Sequence, residues 1–195
     1  MTTRTQARIT TVAKVTAAAS RVFGEQGYRA TTIPLIARAA GVSVGTVASV
    51  GSKDELFLRS VEELSTANSL AMIREASSAP TVNERVWGYV GKMVEASIAM
   101  PNQVQDYLVA YLRSSDHGQN LGRVQDVMEA IRGLFPEDGL PWEESPAALA
   151  ATTIWLSFSA ICFSVAAASV APDTARRMMR SIVVAQCAPF EQPAQ

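Results

Sequence analysis

The sequence predicts an all-α protein of about nine helices, and three observations lead there. Apolar residues recur at three- and four-residue spacing along almost the whole of the 195 residues. Capping residues and helix stops flank those periodic stretches. No alternating strand pair with a hairpin turn is present, and no internal repeat.

The elements follow in order. Over residues 8–26, Ile9, Val12, Thr16, Ala19 and Phe23 share a helical stripe widened by Val15 and Val22, and Gly27 is the expected stop. In "ATTIPLIARAAG", Thr32 caps, Pro34 is tolerated in the first turn and Gly41 leaves the helix. Ser43 caps another short helix. "SKDE" at 52–55 is a capping box opening a helix to about Ser77, and "TVNE" at 81–84 is a second, opening a helix that Pro101 ends. A shorter helix spans 103–113, a polar loop runs from Ser114 to Asn120, and Leu121–Phe135 is helical again. After the loop "PEDGLP", Ser145 caps with Pro146 at the first helical position, and Pro172 with Asp173 opens a last helix ending near Gln186.

Composition removes several function classes. Two cysteines without CxxC spacing, Cys162 and Cys187, argue against a disulfide scaffold and for a reduced, cytoplasmic setting. One histidine, His117, excludes a histidine-rich metal site. Met1–Thr11 is polar and does not read as a signal peptide. No nucleophile–base pair and no Gly-rich phosphate loop after a strand supports an enzyme, and no cofactor is implied. Charge is uneven: residues 1–60 hold eight basic and three acidic residues, a balance of +5, while the remainder balances at −6. A basic front end on an acidic body fits an anionic partner for the front end alone.

The stretch from Ser145 to Ala171 is uncharged and long enough to span a bilayer. Thr152, Thr153, Ser157, Ser159 and Ser164 within it, its many alanines and the acidic pair Glu143–Glu144 where basic anchors would be expected favour a buried central helix instead. No membrane partner is therefore expected.

Residues 33–50, "IPLIARAAGVSVGTVASV", satisfy the steric demands of a helix-turn-helix. Ala37 is small where the second helix would cross, Gly41 accepts a left-handed backbone, and Ile36, Ala40, Val42, Val47 and Val50 fill the angle. This turns Val44, Gly45, Thr46, Ala48 and Ser49 outward, where a recognition helix faces base edges.

The larger stretch "VFGEQGYRATTIPLIARAAGVSVGTVASVGSKDELF", Val22 to Phe57, resembles the TetR family of bacterial transcriptional repressors. The carriers are Phe23, Gly27–Tyr28, Thr31–Thr32, Ile36–Ala37, "AGVSVGT" at 40–46 and Ser52–Lys53. The resemblance implies that Thr31 and Thr32 cap the second helix and donate to phosphate, that Ser43, Val44, Gly45 and Thr46 begin the major-groove helix, that Ala48 and Ser49 continue it, and that Lys53 contacts phosphate. Tyr28 is expected to pack rather than touch DNA. This chain departs from the family in the end of that helix, "VASVG", which is one residue shorter and lacks the usual aromatics. Readout then falls to Thr46, Ser49, backbone groups and methyls, with phosphate contacts from Lys53, the threonines and Arg4 or Arg8 in a flexible arm.

The resemblance divides the chain into a DNA-binding domain, 1–52, and a helical ligand-sensing and dimerisation domain, 53–195. The last two long helices would pair with their copies, and Ala148, Ala151, Thr152, Trp155, Ser159 and Cys162 form a small-residue face for it. Trp87, Met93, Tyr107, Tyr111, Met128, Trp155 and Phe158 are candidate pocket linings for a small apolar or aromatic inducer. The expected function is a ligand-responsive, homodimeric repressor on double-stranded DNA; the alternative is a protein of the same shape that has lost DNA binding and acts through protein contacts.

Overall fold

The computed structural model describes residues 2–114 and 117–191. Among them are nine α-helices and no strand: α1 (Thr2–Ala30), α2 (Ile33–Ala40), α3 (Val44–Val50), α4 (Lys53–Ala76), α5 (Val82–Ala99), α6 (Pro101–Arg113), α7 (His117–Arg132), α8 (Pro146–Ala166) and α9 (Pro172–Cys187). The chain divides into two compact units, residues 1–66 with 106–117 and residues 67–105 with 118–195, so α4 and α6 each supply residues to both.

Local chemistry sets most boundaries. Gly27 breaks α1 with φ 76° and ψ 168°, a backbone only glycine takes without strain. Thr32 caps α2 by accepting Leu35 N–H, and Ser43 caps α3 by accepting Thr46 N–H. The box before α4 is formed, Glu55 N–H reaching Ser52 Oγ at 3.2 Å and Ser52 N–H reaching Glu55 Oε2 at 2.8 Å. Thr81 and Glu84 repeat it before α5. Three boundaries depart from expectation. The first helix starts at Thr2 rather than residue 8, because nothing in its polar beginning breaks it. Helix α7 begins at His117, inside the expected loop; the polar residues there do not break the helix. Helix α9 has Pro172 in its first turn but Ala171 at the cap, with no side-chain cap bond.

The first unit closes around Val15, Phe23, Tyr28, Ile36, Val47, Leu56 and Phe57, with Ala110 of α6 fully buried among them. Arg29 Nε pairs with Asp106 Oδ1 at 3.0 Å in the same unit. Helices α2 and α3 meet at a bend of 103°, within the range of a helix-turn-helix. The corner is Gly41, at φ 61° and ψ 41°, whose N–H bonds Arg38 O while Val42 N–H bonds Ala37 O. A Cβ added at 41 would meet only Lys14 Nζ, at 3.6 Å, so the cost of an alanine there is backbone strain. Gly41→Ala is expected to lose about 1–2 kcal/mol of stability in urea unfolding; an unchanged midpoint would show that the turn does not need a left-handed residue.

In the second unit α5, α8 and α9 pack on one another around Val86, Tyr89, Val90, Ile154, Met179 and Val183. Tyr89 is buried and its hydroxyl pairs with Ser69 Oγ at 2.6 Å. Helix α8 is, by length and composition, the one unbroken helix among the described residues able to cross a membrane. Here it is a core helix that buries Ala147, Ala150, Ala151, Ile154 and Phe158. Four of its five hydroxyls turn back onto their own helix, Thr152, Thr153, Ser159 and Ser164 each donating to the carbonyl four residues earlier at 2.8–3.0 Å.

Candidate nucleic-acid interface

Val47 anchors α3 to the first unit with no exposed surface, and this fixes which residues face out. Ser43, Val44, Gly45, Ala48 and Ser49 are exposed, whereas Thr46 and Val50 are half-buried on the flank toward α1. There, Ala7, Arg8, Thr11 and Val12 of α1 line a groove of about 630 Å³ together with Thr46, Ser49 and Val50. Arg8 is therefore not in a flexible arm: it belongs to α1, beside the flank of α3. Arg4 also falls within α1. Two arginines brace the corner from behind, Arg21 donating to Ala39 O at 3.3 Å and Arg59 to Val50 O at 3.4 Å.

The two threonines before α2 separate. Thr32 is exposed and caps the helix. Thr31 is wholly buried and donates to Gly27 O at 2.7 Å, which closes the break at the end of α1. Its expected roles as cap and phosphate donor are corrected: its only proton is spent, and no surface of it reaches solvent.

Lys53 sits at the first turn of α4 with Nζ 4.3 Å from the centre of the Tyr28 ring and 3.5 Å from Arg29 O. The stack holds its ammonium at the start of α4. Tyr28 is buried against Phe23 and Phe57, with its hydroxyl donating to Asp54 Oδ1. Burial, and then the Asp54 carboxylate, push its pKa up to about 12. It is thus a packing residue and a hydrogen-bond donor at neutral pH, as expected of it.

The expected ligand set is divided between the units. Tyr107 and Tyr111 stack at 6.2 Å and pack on the first unit's core. Trp87, Met93, Trp155 and Phe158 belong to the core of the second, with the Trp155 and Phe158 rings 5.6 Å apart, and Met128 is half-buried there. Arg180 stacks on Trp87 at 4.8 Å, a contact that the apolar reading of this set missed.

The expected dimer face needs correction as well. Ala148, Ala151 and Cys162 are buried inside the second unit, and Thr152, Trp155 and Ser159 are half-buried. Small residues let α8 approach its own neighbours closely, so they turned inward. The face α8 leaves uncovered carries Leu149 and Leu156, 69% and 61% exposed, with Ala160; the adjoining α9 exposes Met178 and Val184.

Residues 15–59 match the family model of bacterial regulatory proteins, tetR family. The matched span takes in α2, α3 and the corner between them. Among curated proteins, none matches the sequence. Solved structures share the fold. The regulator FadR from Bacillus subtilis in complex with stearoyl-CoA superposes with a TM-score of 0.61 at 16% identity, covering 90% of this chain and 97% of that one. The SmeT–triclosan complex gives 0.54 at 17% identity, covering 95% and 93%. A TetR-like transcriptional regulator from Rhodococcus sp. RHA1 gives 0.53 at 18%, covering 90% and 94%. At these identities the likeness is one of fold.

Proposed function

We propose that this chain, which carries the tetR-family helix-turn-helix, is a homodimeric transcriptional repressor that lays α3 into the major groove of each half of a palindromic operator. A small apolar or aromatic effector, bound by the second unit, releases it. The observation that carries the reading is the α2–α3 corner, bent by 103° and matched by the family model, with Val44, Gly45, Ala48 and Ser49 left uncovered. In this reading residues 1–52 read DNA, residues 53–195 sense and dimerise, and the protein works in the cytoplasm. The exposed Leu149 and Leu156 of α8 support a dimer through that face. Such a dimer would present its two recognition helices about 34 Å apart, one turn of DNA. Stearoyl-CoA and triclosan, present in two proteins of this fold, each offer a large apolar part, which supports an apolar effector here. An effector that favours a dimer of different spacing lowers operator affinity by its preference for that state.

Gel-shift titration against the DNA upstream of the protein's own gene, at two salt concentrations, tests this. A sequence-preferring complex that weakens with salt is expected. Its absence would favour a protein of this shape acting through protein contacts. Lys53→Ala should weaken binding to every duplex alike and lower the salt slope by about one. A loss confined to one sequence would contradict a phosphate contact.

A further inference from the structure

The uncovered face of α3 has an unusual hydrogen-bonding character. Val44 keeps 49% of its surface exposed, although it is apolar. Ala48 adds a methyl one turn on. At Gly45 the backbone is bare, and the atom nearest to an added Cβ would be Ser43 Oγ at 3.8 Å. Ser49 spends its hydroxyl proton on Thr46 O at 2.7 Å, so only acceptor lone pairs remain on its oxygen. Ser43 and Thr46 bond each other at 2.9 Å, and Ser43 Oγ also accepts Thr46 N–H at 3.1 Å. The single hydroxyl proton left over belongs to that pair, on the flank of the helix. The side chains of the outward face are thus two apolar groups and one acceptor around a bare backbone; the nearest guanidinium, that of Arg8, lies in the groove on the α1 flank.

The major groove answers such a face selectively. Guanine offers two acceptors, N7 and O6, which need donors. Facing Ser49 Oγ they would repel. Adenine N6 and cytosine N4 both donate, but thymine alone carries a methyl. An acceptor and a methyl-binding surface side by side are therefore satisfied together by A·T pairs, while a C·G pair satisfies the acceptor and leaves Val44 and Ala48 without an apolar partner. Resting on the reading of α3 as the groove helix, we propose that the Val44–Gly45–Ala48–Ser49 face selects A·T pairs: thymine methyls pack on Val44 and Ala48, and Ser49 Oγ accepts an adenine N6 hydrogen.

Selection from a random duplex pool with the full-length chain, followed by base-analogue probes, tests it. The selected half-sites should hold A·T pairs under α3. Replacing their thymines with deoxyuridine removes only the methyls and should weaken binding about four-fold for each methyl that packs. In the Val44→Ala protein that penalty should shrink, and Val44 is exposed enough that the change leaves folding intact. Replacing adenine with purine, which lacks N6, should weaken wild type but not Ser49→Ala. Selected guanines whose 7-deaza analogues abolish binding would overturn the proposal. So would A·T pairs indifferent to deoxyuridine, since they would then be read by DNA shape. A pool that yields no preferred sequence would overturn the DNA-reading function itself, which separates the two failures.

Discussion

Phe57→Ala is expected to cost the first unit about 3–5 kcal/mol, the range for truncating a buried phenylalanine. The ring lies 5.1 Å from Phe23 and 4.7 Å from Tyr28, so its removal leaves both aromatic partners against a void. Leu56 and Leu58 beside it are wholly buried and leave no room for collapse without moving α4. The consequence reaches DNA through geometry. Phe57 and Tyr28 hold the start of α4, where Lys53 stacks, and Arg59, two residues on, braces Val50 at the end of α3. Urea unfolding followed by circular dichroism and by tyrosine fluorescence should show early loss of the first unit. A loss below 1 kcal/mol would mean that the three rings are not the keystone of this core.

The second large effect concerns assembly. With Leu149 and Leu156 both replaced by glutamate, sedimentation velocity should show a monomer where the parent chain sediments as a dimer. Both side chains are more than half exposed, so folding of the single chain should change by no more than about 0.5 kcal/mol. Operator affinity should fall by about 100-fold or more, because two half-sites would no longer be held by one particle. A parent chain that is monomeric at micromolar concentration, or a double variant that remains dimeric, would remove this face as the interface.

Legibility from sequence followed the range over which each signal acts. The corner at Gly41, the caps at Thr32, Ser43 and Ser145 and both capping boxes depend on residues within four positions of each other, and all are formed. The orientation of α8 was not legible. Apolar and small residues surround that helix on every side, so periodicity does not choose an inner face, and tertiary packing placed Ala147, Ala148, Ala150 and Ala151 inside and two leucines outside. Thr31 was misread for a related reason. Its neighbour Thr32 has the same chemistry, and only the break at Gly27 decides which hydroxyl turns inward. Tyr107 and Tyr111 looked like pocket residues because aromatic content does not say which core a residue joins; α6 supplies residues to both units.

The inward-turned hydroxyls of α8 bear on how this chain is made. Four serine and threonine protons satisfied within the helix leave a segment of 21 residues that presents an almost wholly greasy cylinder. On the ribosome it emerges before α9, the helix against which it packs most extensively. For that interval lipid and the nascent core compete for the same segment, and α5 with Ala76, Ile131, Leu134 and Phe135 must outbid the bilayer. Arrival of residues 172–187 commits the chain to a folded core, so a message truncated just before codon 172 should yield a product that sediments with membranes or aggregates.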